Sequence, residues 1–174
     1  IKKCFNKNFS IYYQNIEKFF KTNYNSIISE LFYFKYNSRI TCHNCGFISN
    51  NIKFTSLLEI SLEEIKKIKK KNNNRNIAIK DFFEYYQKPT HLLITCNKCG
   101  KKDCMDNSNI ILEGPKILII KTNKGKNDKF DIKFDFEENI NLKDFILYKK
   151  NEYNYELIGI VINMEKDKFI SYCK

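Results

Sequence analysis

Two Cys-x-x-Cys pairs, each followed at once by glycine, constrain this chain more than anything else in it: Cys42-His43-Asn44-Cys45-Gly46 and Cys96-Asn97-Lys98-Cys99-Gly100. Thiolates at i and i+3 of a tight turn supply two neighbouring corners of a tetrahedron, which is what zinc asks of its ligands. A glycine after the second thiol permits the positive φ that turns backbone amides toward the sulfurs. Two such knuckles at strand ends can close a structural site for one Zn2+ built from Cys42, Cys45, Cys96 and Cys99. The stretch 46–95 is longer than a compact zinc ribbon allows, so a larger sheet has to bring the knuckles together. Two redox dithiols, or knuckles that have lost their metal, are the competing readings. Cys104 is a possible substitute for Cys99, although C-x-x-C has the better turn geometry. His43 and His91 read as turn residues beside the knuckles, and Cys173 as a packed, inert thiol in a terminal strand.

The rest of the composition sets the frame. A chain of 174 residues, 43% hydrophobic and 15% aromatic, has material for one core and is short for two domains. No apolar run approaches the roughly 20 residues of a membrane span. The first residue is Ile1 and no signal-peptide pattern follows, which reads as a fragment or a processed piece. Seven cysteines, an odd number, fit a reducing intracellular compartment, cytoplasm or nucleus, better than a secreted disulfide scaffold. The net charge of +11 comes from lysine, with arginine only at positions 39 and 75. Lys, Asn, Ile, Phe and Tyr share AT-rich codons, so biased codon usage explains the excess without an anionic partner. Readers of phosphate and bases lean on arginine's planar fork, which makes nucleic-acid binding the weaker alternative.

Apolar spacing predicts one or two amphipathic helices over residues 9–34, with Ile16, Phe19 and Phe20 in one stripe. Strands are expected at 39–41, at 54–61 after an Asn50-Asn51 turn, at 92–95, at 110–112 and at 117–120. Ser61 opens a short helix with an acidic first turn. The Lys/Asn-rich stretch 66–76 ends in an exposed, mobile loop. Residues 79–87 form a helix that stops before Pro89. Residues 131–136 alternate as a half-buried strand, 142–147 make a helical turn, and 155–162 and 169–173 are the last strands. The class is α+β: helices first, then a mainly antiparallel sheet bearing the zinc knuckles. Leu118, Ile120, Phe134, Phe136, Leu157, Ile160 and Ile170 are expected to be buried in one continuous sheet.

The order of these features resembles the ubiquitin-specific protease catalytic domain, a papain-like cysteine deubiquitinase. The resemblance runs through Glu30-Leu31-Phe32 and the first knuckle. It continues through residues 54–62, Ile79-Lys80-Asp81-Phe82-Phe83-Glu84, the second knuckle, and Gly114-Pro115-Lys116-Ile117-Leu118-Ile119-Ile120. It ends on Tyr155-Glu156-Leu157-Ile158-Gly159-Ile160-Val161, the strand that leads to the family's catalytic histidine. It implies a single partial domain over 1–174, with a helical segment at 1–35, zinc-bearing fingers at 36–113 and palm strands at 114–174.

Departures from the family pattern fall on its catalytic boxes. Cys4-Phe5 is the only cysteine before the fingers and lacks the Asn-Thr and Asn-Ser context of the nucleophile box. Gln14-Asn15-Ile16-Glu17-Lys18-Phe19-Phe20 is a faint echo of the box before the fingers, and an amphipathic helix explains it equally well. Where the family writes Gly-His-Tyr, this chain has Asp167-Lys168-Phe169, so Lys168 stands at the histidine position. An imidazole of near-neutral pKa is needed to take the thiol proton, and lysine's ordinary range lies far above that. The resemblance therefore implies a deubiquitinase fold, catalytically inactive here, that binds ubiquitin or serves as a protein-binding scaffold. The alternative is an active thiol-dependent deubiquitinase whose cysteine box lies outside these residues.

Overall fold

The computed structural model describes residues 7–69, 76–123, 134–148, 153–165 and 168–174. Helix α1 (Lys7–Asn23) presents Phe9 and Tyr13 to the interior. Ile16 is packed beneath it, while Phe19 of the expected stripe faces solvent. The short α2 (Ile27–Phe32) starts at Ser26, whose hydroxyl accepts from the Ser29 amide. The expected segment is therefore two helices, as its spacing allows, ending at Phe32, with Phe34 already in a strand.

Behind them stands a four-stranded antiparallel sheet in the order β2-β1-β6-β5. Its members are β1 (Phe34–Cys42), β2 (Ile48–Thr55), β5 (Thr90–Leu92) and β6 (Met105–Glu113). Successive side chains of β6 point to opposite faces, and both faces are covered at its inner end. Leu112 joins Phe9, Tyr13 and Ile52 under α1. Ile111 joins Phe34, Ile60, Leu62, Ile65, Phe82 and Phe83 on the other face. That second core is closed by α3 (Leu62–Lys69) and α4 (Ile79–Gln87). The Ser61 hydroxyl accepts from the Glu64 amide at the start of α3, and Asp81 accepts from the Ala78 amide at the start of α4.

The remaining strands pair in twos. β3 (Leu58–Ser61) runs parallel to β7 (Ile120–Asn123), and β4 (Ile77–Ala78) parallel to β8 (Phe134–Asp135). β9 (Asn139–Asn141) and β10 (Asn154–Glu156) are antiparallel, as are β11 (Gly159–Glu165) and β12 (Lys168–Cys173).

Several expectations need correction. Asn50 and Asn51 are not a turn but the middle of β2, paired with Arg39 and Ser38, and Asn37 donates to the Asn50 side chain at 2.8 Å. The expected strand 54–61 is broken at Ser56-Leu57, where the Thr55 hydroxyl bonds both the amide and the carbonyl of Leu57. The strand expected at 92–95 is Thr90–Leu92, and that at 117–120 begins only at Ile120, because the Ile117 amide is bonded to Leu31. Residues 66–69 continue α3, and most of the expected loop beyond them lies outside the described residues, as do 131–133. Residues 155–162 divide at Leu157-Ile158, where the Leu157 amide turns to Glu138.

The expected single sheet is thus five separate sheets among the described residues. None of its seven core residues is fully buried. Leu118, Ile120, Phe134, Leu157 and Ile160 are half-buried; Phe136 and Ile170 are exposed. Alternation shows which residues share a face, whereas burial needs something laid over that face, and the β11–β12 hairpin has no such cover among the described residues.

One polar contact fixes α1 to the sheet. Lys35, on β1, lies 3.1 Å from Glu17 of α1 and 2.8 Å from Glu113 of β6. Burial alone would raise the Glu17 carboxyl, but the Lys35 hydrogen bond and charge, with help from Lys21, hold it below the ordinary carboxylate range. A lowered folded value contributes stability above the unfolded pKa, about 4.3, and loses it as pH falls through the folded value. Glu17→Gln should therefore lower stability at pH 7 and flatten the loss between neutral and acid pH, read from urea midpoints at several pH values. An unchanged acid slope would refute this.

Candidate metal centre and the histidine position

β1 delivers Cys42 at its last residue, and the chain reverses at once. The Cys42 amide donates to Phe47 at 2.8 Å and the Gly46 amide returns to Cys42 at 3.0 Å. The second knuckle repeats this: Cys96 amide to Lys101 at 2.9 Å, Gly100 amide to Cys96 at 2.8 Å. Gly46 and Gly100 have φ of +69° and +70°, with nothing within 4 Å of where a Cβ would stand. Backbone conformation, not room, is what requires glycine there. Register then joins the knuckles: Cys42 lies opposite Met105 of β6, β6 also pairs β5, and a Thr95–Lys102 bridge closes the second knuckle. A larger sheet does bring the two pairs together.

The ligand atoms of Cys42, Cys45, Cys96 and Cys99 all lie within 4.8 Å of one another. Across the knuckles, Cys42 is 3.8 Å from Cys99 and Cys45 is 3.8 Å from Cys96, sulfur to sulfur. A tetrahedron with Zn–S bonds of about 2.3 Å has edges of about 3.8 Å. The residues present therefore fit a tetrahedral metal centre in number, donor type and spacing.

Their electrostatics agree. Burial opposes ionisation of Cys42, but bonds from the Cys45 amide, the Cys104 thiol and the Asn44 amide bring its thiol down to about 6. The Lys101 amide and the Asn44 side chain lower Cys99. Cys45 receives the Phe47 amide, yet burial and its three neighbouring thiols push it up to about 12. Amide and side-chain donors thus lower two of the thiols while burial and the neighbouring sulfurs raise a third, and a divalent cation would favour the thiolate form of each ligand.

Neither histidine is a ligand in this arrangement. His43 lies 2.7 Å from one oxygen of Asp106 and His91 3.1 Å from the other. Hydrogen bonds from His43 and then His91 lower the Asp106 carboxyl. Sequence reasoning missed this bridge, because Asp106 meets Thr41 and His91 only through the β1–β6 and β5–β6 registers. Cys104 is buried beside Cys42 rather than in the place of Cys99. Cys173, expected to be packed, is exposed on β12. Lys168 is the first residue of β12, exposed and opposite Glu165 of β11. Cys4 lies outside the described residues.

An α+β domain with helices before a mainly antiparallel sheet, and a finger ending in two facing cysteine knuckles, is the ubiquitin-specific protease fold. The family model described as ubiquitin carboxyl-terminal hydrolase matches residues 2–174, and the chain belongs to that family. It is 27% identical over 164 residues to ubiquitin carboxyl-terminal hydrolase 25 of Arabidopsis thaliana, covering 87% of this chain and 23% of that protein. Among solved structures, a chain of the yeast SAGA DUB module with an Sgf73 variant superposes with TM-score 0.71 at 20% identity, over 91% of this chain and 37% of that one. A chain of the SAGA Ubp8/Sgf11/Sus1/Sgf73 module bound to monoubiquitin gives TM-score 0.64 at 19% identity, over 95% and 40%. This chain thus spans well under half the length of these relatives. No helix among the described residues is long and apolar enough to cross a membrane.

Proposed function

We propose that this chain is the finger-and-palm portion of a deubiquitinase-type domain that binds ubiquitin, or a protein assembly, without hydrolysing ubiquitin bonds itself. Its helical segment spans 1–35, its fingers 36–113 and its palm strands 114–174. Cys42, Cys45, Cys96 and Cys99 hold one structural Zn2+, which fixes the shape of the finger and takes no part in bond cleavage.

The observation that supports non-catalytic binding is the placement of imidazole. The chain has two histidines, and both are engaged by Asp106 at the finger. The position that should carry the general base holds Lys168. Thiol hydrolysis requires nucleophile, base and orienting group within hydrogen-bond reach of one another, and this position lacks the imidazole that takes the thiol proton. Ubiquitin as the ligand rests on family membership and on the ubiquitin-bound module named above.

The test pairs an assay with a titration. The chain should release no fluorophore from a ubiquitin–fluorophore amide, and a ubiquitin electrophile should not label Cys4. Labelled ubiquitin titrated against the same protein should bind saturably. Turnover appearing in Lys168→His and abolished by adding Cys4→Ala would establish Cys4 as the nucleophile and overturn this reading.

A further inference from the structure

The return from the second knuckle to β6 sets a fifth sulfur against the four. Asp103, a non-glycine residue at φ +51°, takes the left-handed conformation and anchors its amide on Ile94 at 3.2 Å. The next residue, Cys104, is thereby turned inward, 7% exposed. Its carbonyl accepts the His43 amide at 2.8 Å, and its sulfur lies 3.4 Å from the Cys42 sulfur. It does not belong to the group of four mutually close ligand atoms. Cys104 therefore touches one ligand without occupying a corner of the tetrahedron.

Its single S–H has two acceptors in reach. One is the Lys101 carbonyl at 3.3 Å, which already accepts the Cys96 amide at 2.9 Å. The other is the Cys42 sulfur, a thiolate once it ligates a metal, and a charged acceptor takes the stronger bond. Four thiolates on a divalent cation carry two net negative charges. Donors aimed at the sulfurs spread that charge and reduce the tendency of each ligand to pick up a proton and leave.

We propose that Cys104 is a positioning residue of the metal centre: its S–H donates an S–H···S hydrogen bond to Cys42, holding that ligand on the ion. This rests on the reading that the four other cysteines bind zinc. It assigns Cys104 a role that neither the knuckle motif nor a fifth-ligand model contains.

The experiment compares the unsubstituted chain with Cys104→Ala and Cys104→Ser, each loaded with Co2+ for spectroscopy and with Zn2+ for release into a chromogenic chelator. All three should show the same four-thiolate charge-transfer intensity. Cys104→Ala should lose zinc about tenfold faster, the lower end of what removing such a supporting contact costs. Cys104→Ser keeps an O–H donor and should recover most of the difference. A charge-transfer band weakened by one thiolate in Cys104→Ala would make Cys104 a ligand and overturn the proposal. So would an unchanged release rate, or a serine variant as fast as alanine, which would mark a packing effect alone. Failure of the unsubstituted chain to take up either metal would overturn the zinc reading with it, and is distinguishable because no variant is needed to see it.

Discussion

Purified protein should carry about one zinc per chain, and Cys96→Ser should lose it together with the ordered finger. Cys96 is 0% exposed and its sulfur closes one edge of the tetrahedron against Cys45. Finger residues beyond the two-sided core pack mainly on the cysteines themselves, with Met105, Ile40, Phe47 and Leu92. A cluster so small cannot order two knuckles without the metal, so binding energy there is folding energy. Chelator should therefore lower the thermal midpoint of the unsubstituted chain, while Cys173→Ser, on the exposed hairpin, should leave both metal content and midpoint unchanged. A metal-free preparation whose midpoint ignores chelator would overturn the zinc reading and leave redox dithiols or knuckles that have lost their metal.

Phe83→Ala should cost about 3–5 kcal/mol, read as a shift in urea unfolding. The Phe83 ring is 0% exposed and lies 5.1 Å from Phe82 and 5.5 Å from Phe145, centroid to centroid. It joins α4 to the 142–147 turn, whose Ile146 bridges to Ile111. Removing it leaves a cavity where two helices and the sheet meet. Phe169→Ala is the control, since Phe169 is 64% exposed and its loss should stay within about 0.5 kcal/mol. Equal costs for the two would mean that the core is placed on the wrong side of the sheet.

What could be read from the amino acids alone was whatever is decided locally. The knuckles were legible because four residues and a glycine encode their own turn, and both glycines adopt the expected positive φ. Helix α4 was legible to the residue, since its apolar period runs up to Lys88-Pro89. β2 was not, because Asn50-Asn51 has the composition of a turn; pairing with β1 outweighs that weak preference. The core was misplaced for a related reason. Residues 131–136 alternate and 155–162 and 169–173 have the composition of strands, but Ile60, Phe82, Phe83 and Ile111, under α3 and α4, receive the cover. The four cysteines that cluster at the candidate site could be named in advance. The fifth sulfur's contact and the Asp106 bridge could not, because both depend on which strands lie side by side.

β1 and β6 each run without a break in the strand from the two-sided core to the knuckles, with a single irregularity at Lys35/Tyr36, at the core end. Mechanically the finger is a cantilever: rooted where Phe34 and Ile111 are buried, and clamped at its free end by the cysteine cluster. Along that length the β1–β6 register shows no further irregularity at which such a beam would bend. A push at the tip reaches the root as a tilt of the whole four-stranded sheet, and α1, tied to Lys35 at that root, moves with it.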